Sequence, residues 1–200
     1  FRKMIKIVFA TGNQGKMREI KQIMADMDME IVSMKDAGIF VDIEENGTTF
    51  EENALIKARA IAKETNAIVL ADDSGLEIDY LDKAPGVLSA RYMGEDTPYS
   101  VKNQHILDLL KDVPQEKRSA RFVCSIAAVL PDGREFTTQA TIEGKIGYEI
   151  AGENGFGYDP IFFVPEFNKT TAELNADEKN KISHRGKALT MMKDILKKEL

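Results

Sequence analysis

A chain of 200 residues with 43% hydrophobic and 30% charged content is long enough to bury a core in one domain or two closely packed lobes, which excludes disordered and collagen-like readings. Its net charge of -6 argues against a general nucleic-acid-binding surface, which needs clustered Lys and Arg, so any phosphate ligand must meet a local basic pocket. The single cysteine, Cys124, cannot make an internal disulfide or a Cys-based zinc site, and fits a reducing compartment, read here as cytoplasm. No apolar run nears the roughly 20 residues that span a bilayer, so no membrane partner is expected.

Met4 is the expected natural start, so Phe1, Arg2 and Lys3 are given no functional weight, and no signal peptide is expected. Ile5 to Ala10 is a short β-branched apolar run that ends at the turn formers Thr11, Gly12 and Asn13, and Ile20, Ile23, Met24 and Met27 then recur at helical spacing. The expectation is strand, loop, and a helix from about Gln14 to Asp26. A strand near Glu30 to Met34 leads into an acidic, turn-rich stretch from Asp42. Thr49 can cap a helix from about Phe50, with Glu52 three residues on as in a capping box. Ala67 to Ala71 reads as a buried strand, broken by Asp72, Asp73, Ser74 and Gly75 before Leu76 to Tyr80 resumes. Tyr99 to Lys111 is an amphipathic helix. Arg121 to Leu130 and Glu135 to Thr141 form a hairpin through Pro131, Asp132 and Gly133. A Gly-rich loop, Gly152 to Gly157, precedes the strand Ile161 to Val164, and a helix from about Ser183 to Lys197 closes the chain. The order implies an α/β fold with a mixed sheet carrying an antiparallel portion.

Four places concentrate chemistry. Thr11, Gly12, Asn13, Gln14, Gly15 and Lys16 lie where exposed backbone N–H groups and a helix dipole favour an anion, with Lys16 adding a charge. The spacing is not a P-loop, because two residues rather than four separate Gly12 from the Gly15-Lys16 pair. Taken alone the pattern is equally a plain strand-to-helix turn. Asp72 and Asp73 at a strand end can hold a hard cation and polarise water, and Mg²⁺ needs only such carboxylates plus substrate phosphates; Glu44 and Glu45 offer more. A turn in which Asp side chains bond their own backbone is the alternative. Phe156 and Tyr158 among glycines, followed by Asp159, suit stacking of a flat base, or equally a tight turn packed by its own aromatics. Lys179, Lys181, Ser183, His184 and Arg185 gather donors at the front of the last helix, where cations oppose the dipole and a bound acceptor-rich ligand would explain them.

Six blocks together, Phe9 to Lys16 (FATGNQGK), Thr49 to Ala54 (TFEENA), Ala71 to Leu76 (ADDSGL), Ala84 to Tyr92 (APGVLSARY), Gly155 to Pro160 (GFGYDP) and Ile182 to Arg185 (ISHR), closely resemble the inosine triphosphate pyrophosphatase family, also called XTP/dITP diphosphatases. The resemblance runs from about Ile5 to the end. It implies one pyrophosphatase domain of two packed lobes with an elongated sheet, an active cleft between the lobes, a homodimer, and hydrolysis of the α–β phosphate link to nucleoside monophosphate and pyrophosphate. It further implies that Thr11 to Lys16 cradle the triphosphate with Lys57 facing it. Asp73 would be the water-activating base and would share Mg²⁺ with Glu45, Asp72 would support them, and Ser74 would touch substrate. Phe156, Gly157, Tyr158, Asp159, Lys179, His184 and Arg185 would hold base and sugar. Hypoxanthine and xanthine present O6 as an acceptor where adenine presents a donor, so donors in the base pocket would be left unpaired by ATP, a loss of roughly 10⁴-fold. GTP shares that O6 and must be rejected at its 2-amino group. The rival readings are a pyrophosphatase for modified pyrimidine or methylated nucleotides, and a non-catalytic nucleotide sensor; carboxylates beside phosphate argue against the sensor.

Overall fold

The computed structural model describes residues 5–200; Phe1, Arg2 and Lys3, read above as carrying no function, lie outside the described residues. The regular elements are β1 (Ile5–Phe9), α1 (Gln14–Ile23), β2 (Met29–Ser33), α2 (Phe50–Ala62), β3 (Ile68–Ile78), α3 (Tyr99–Leu109), β4 (Ser119–Val129), β5 (Glu135–Ile146), β6 (Phe162–Val164), β7 (Lys169–Thr170), α4 (Ala176–Ile182) and α5 (His184–Glu199). The strands form one sheet in the order β2-β1-β3-β4-β5-β6-β7. β1 runs parallel to β2 and β3, whereas β6 is antiparallel to β5 and to β7. The sheet is therefore mixed, with its parallel part built from strands joined by helices, as crossover connections require.

Local chemistry explains most boundaries. Asn13 Oδ1 accepts from the Lys16 amide at 3.0 Å and starts α1; Thr49 Oγ1 accepts from the Glu52 amide at 3.1 Å and starts α2. The reciprocal half of the second cap differs from expectation, since the Glu52 carboxylate accepts from the Thr48 amide, at 2.7 Å. Two strand predictions need correction. β3 does not break at Asp72 to Gly75 but runs unbroken from Ile68 to Ile78, so both aspartates sit inside a strand. β5 does not stop at Thr141 but continues to Ile146. Its Gly144 looks like a breaker, yet an added Cβ there would stand 2.6 Å from the Phe163 carbonyl oxygen. The glycine is what lets β5 and β6 close up.

Backbone contacts divide the chain into two compact units. The first comprises Phe1–Asp73, Cys124–Ala140 and His184–Leu200, the second Ser74–Val123 and Thr141–Ser183. In the first, alternate residues of β1 and β3 feed two apolar clusters. Ile7, Phe9, Ile68 and Leu70 pack with Met17 and Ile20 of α1 and Leu189 and Met192 of α5. Val8, Val69 and Ala71 pack with Ala54, Ala58 and Ile61 of α2. In the second unit, Leu76, Ile78, Phe122 and Phe162 pack with Ile106 and Leu107 of α3. Arg118, 1% exposed, is held there by the carbonyls of Ile146 at 2.9 Å, Val113 at 3.2 Å and Gly147 at 2.6 Å, to which it donates, and by the Tyr148 ring 4.2 Å from its guanidinium carbon. Such a guanidinium is a satisfied strut.

Candidate active site

Strand alternation places the side chains of Asp72 and Asp73 on opposite faces of β3, and the two carboxylates meet different company. Asp72 continues the face of Leu70. It is fully buried, with Lys16 Nζ at 3.2 Å and Arg185 Nε at 3.5 Å from its Oδ2. The same guanidinium donates through Nη1 to the Glu19 carboxylate on α1. Glu19 lies one helical turn after Lys16, hence on the same face. The result is a buried chain of alternating charges: Lys16, Asp72, Arg185, Glu19. Burial by itself would raise the Asp72 carboxyl, but Lys16, Arg185 and Lys57 hold it well below the usual carboxylate range.

Asp73 continues the face of Ala71, towards α2. It is 8% exposed, and its Oδ2 has no hydrogen-bond partner among the described residues. Burial pushes this carboxyl up to about 6; Lys57 opposes the rise, Glu45 adds to it, and Lys16 and Asp72 follow with opposite signs. Lys57, from the middle of α2, reaches Glu45 Oε1 at 2.8 Å, while Glu44 is exposed. Two adjacent residues of one strand thus have opposite electrostatic fates. One is locked as an anion, and the other keeps a basic oxygen available, as a group that accepts a proton near neutral pH requires.

The loop before α1 is built for an anion. Thr11 Oγ1 accepts from the Asn13 amide at 3.1 Å, bending the chain so that the first turn of α1 presents its amides. Helix geometry leaves Gln14 and Gly15 without an intrahelical acceptor, and no acidic side chain occupies that turn. Among the described residues no three His, Cys, Asp or Glu side chains gather into a metal cage. Mg²⁺ needs less, since one or two carboxylates plus phosphate oxygens and water complete its shell. The orphaned Oδ2 of Asp73, with Glu45 acting on the same carboxyl, fits such an ion.

In the second unit, Asp159 organises the aromatic loop. Its Oδ2 accepts from the Phe156 amide at 3.0 Å and from Lys179 Nζ at 2.6 Å, and its Oδ1 accepts from Thr171 Oγ1 at 2.7 Å. Lys179 Nζ lies 4.9 Å from the Phe156 ring centroid, a cation–π distance. Tyr158 turns inward, its hydroxyl donating to the Ser89 carbonyl at 2.6 Å, and Asn103 Nδ2 donates to the Gly157 carbonyl at 3.1 Å. Phe156 is half-buried, whereas Tyr158 and Asp159 are buried. The structure thus brings Phe156, Asp159 and Lys179 together and engages the Tyr158 hydroxyl elsewhere. Gly155 has φ +73°, and an added Cβ would stand 2.2 Å from Asp159 Oδ2. Gly155→Ala is expected to push Asp159 off Lys179 and the Phe156 amide. Its cost is about 1–3 kcal/mol of stability from strain and a displaced buried charge, read as a lower unfolding midpoint in urea; an unchanged midpoint refutes this account.

The predicted gathering of donors at the front of the last helix is corrected in part. Lys179 and Lys181 belong to the last turn of α4, where the dipole favours cations, and only His184 and Arg185 open α5. α4 was not anticipated. Its signal was present in Asn175 and Glu178, which form a complete capping box. Ser74, the first residue of the second unit, is partly exposed on β3. Sequence reasoning also missed Glu19 as a site neighbour. Its spacing from Lys16 was the only local hint, because its partner Arg185 is 166 residues away.

Comparison with known proteins adds a consistent pattern. The Ham1 family model matches residues 7–195. A protein of Clostridium perfringens named dITP/XTP pyrophosphatase is 48% identical over 200 residues, covering 97% of this chain and 98% of its own length. One of the same name from Caldanaerobacter subterraneus subsp. tengcongensis is 50% identical over 198 residues, with 98% of each chain covered. The solved structure of a HAM1 protein from Coxiella burnetii matches with a TM-score of 0.87 at 42% identity, covering 98% of this chain and 100% of that one.

Proposed function

The chain belongs to the Ham1 family, and from that premise we propose that it hydrolyses non-standard purine nucleoside triphosphates (ITP, dITP and XTP) to the monophosphate and pyrophosphate, with Mg²⁺, removing them from the nucleotide pool. One observation carries the reading: the divided pair on β3, with Asp72 neutralised by Lys16 and Arg185 and Asp73 keeping an unpartnered oxygen and a carboxyl raised to about 6. The names of the relatives supply the substrate class.

In this reading the Thr11 to Lys16 loop binds the triphosphate through its amides, and Lys16 and Lys57 offset its charge, each charge-assisted contact contributing about 1.5–3 kcal/mol. Asp73 accepts the proton of the attacking water at its basic oxygen. Glu45 and Asp73 would hold Mg²⁺, which would supply Lewis-acid stabilisation of charge on the phosphate oxygens. Asp72 stays ionised and keeps Lys16 from swinging into solvent. The base stacks on Phe156, whose loop is braced by Asp159 and Lys179; of the donors that the resemblance assigns to base and sugar, Arg185 is instead engaged by Glu19 and Asp72. The homodimer implied by the resemblance belongs to the same proposal and is checked by light scattering.

Pyrophosphate release from ITP, dITP, XTP, ATP, GTP, dUTP and methyl-GTP, measured with and without Mg²⁺, tests the proposal. The expected result is turnover of the first three only, roughly 10⁴-fold above ATP and abolished by chelation. Preference for dUTP or methyl-GTP would overturn the base assignment, and tight ITP binding without pyrophosphate release would make the protein a sensor.

A further inference from the structure

Three cations serve the phosphate end of the first unit, and they are not equally free to move. Arg185 is spent on Glu19 and Asp72, both buried. Lys16 is drawn to Asp72, an acid with no exposure at all. Lys57 alone is paired with an acid that water reaches, Glu45, whose side chain is 33% exposed against 15% for the lysine, at 2.8 Å. Resting on the reading of Glu45 and Asp73 as metal ligands, we propose that Lys57 is a positioning residue that keeps the metal site closed until a triphosphate arrives. Its ammonium occupies the Glu45 oxygen that a divalent ion needs, and lets go only when phosphate oxygens offer it a competing anion.

The physical grounds are direct. An ammonium on a carboxylate oxygen competes with a metal for that oxygen's electrons, and it repels the incoming dication over the same distance. A triphosphate inverts the balance. Its oxygens outnumber the single carboxylate as acceptors for Lys57, and the released Glu45 then faces a metal ion that arrives with the phosphates. Metal and nucleotide thus enter together. Protein without nucleotide does not collect stray divalent ions in a site where a basic carboxylate stands ready.

The test is Mn²⁺ binding to nucleotide-free protein, followed by calorimetry and electron paramagnetic resonance at pH 8. Lys57→Met and Lys57→Gln are expected to bind Mn²⁺ roughly tenfold or more tightly than wild type, the loss of one competing charge-assisted contact, while Lys57→Arg stays near wild type. Two neutral variants guard against one misfolding. Equal or weaker binding in a folded neutral variant overturns the proposal, as does Lys57→Arg matching Lys57→Met. Adding Glu45→Gln to Lys57→Met separates the two levels of argument. If the tight binding survives, the ligand assignment is wrong and the proposal falls with it. Where Glu45→Gln weakens Mn²⁺ but Lys57→Met alone leaves it unchanged, the ligands stand and only the closing role of Lys57 is refuted.

Discussion

Asp73→Asn will remove roughly 10²–10⁴-fold of the turnover, the worth of a positioned general base, and will at the same time make the protein more stable. The sign follows from the carboxyl's two environments. Unfolded, Asp73 titrates near its ordinary 3.8, whereas burial lifts it to about 6 in the folded chain. Between those values the native state binds more protons than the unfolded state. Stability therefore falls as pH rises through that window, and the deficit is complete above about 6. An amide in the same volume carries no charge and avoids it. The gain at pH 7.5 is about 3 kcal/mol, or roughly 6–12 °C in Tm for a chain of this size. Thermal unfolding and pyrophosphate release on one preparation check both halves. A lowered Tm with retained turnover would remove Asp73 from the chemistry and from its buried, charge-destabilised role.

Asp72→Ala will do the reverse, although the two residues are neighbours. The substitution leaves Arg185, 2% exposed, and Lys16 without the anion between them. Breaking one member out of a buried pair costs about 3–5 kcal/mol. Arg185 keeps Glu19, which puts the expected loss near the lower end, about 3 kcal/mol or roughly 6–12 °C. Because the folded Asp72 carboxyl is depressed, its contribution is complete above about pH 3.8. It is lost as pH falls below that value towards the lower folded one, so wild type should lose stability more steeply than the variant on acidification. Urea midpoints measured at pH 7 and at pH 2 decide the matter; a variant no less stable than wild type at pH 7 would show the charge chain to be idle. Opposite signs at adjacent positions are what a general loss of packing could not produce.

How much of this was readable beforehand depends on the range of the forces involved. The Thr11 to Lys16 loop and the Thr49 cap were legible because a strand end, a helix start and a capping side chain lie within a few residues of one another. The hairpin turn was legible for the same reason, and Gly133 duly has φ +92°. β3 was misread at Asp72 because carboxylates inside a buried strand are costly unless countercharges reach them. Those countercharges come from α1, α2 and α5, elements that no local window contains. α4 was passed over because a seven-residue helix offers too few turns for its periodicity to register.

Composition, the six short blocks and their order already determined an α/β chain, its family resemblance and the candidate residues for phosphate, metal and base, because those properties are written in neighbouring side chains. Only the folded chain decided which carboxylate is held as an anion and which keeps a basic oxygen, that Lys57 rests on Glu45, and that Glu19 steadies Arg185. Charge interactions and burial depend on separation in space, and folding alone brings Glu19 and Arg185, 166 residues apart along the chain, into contact.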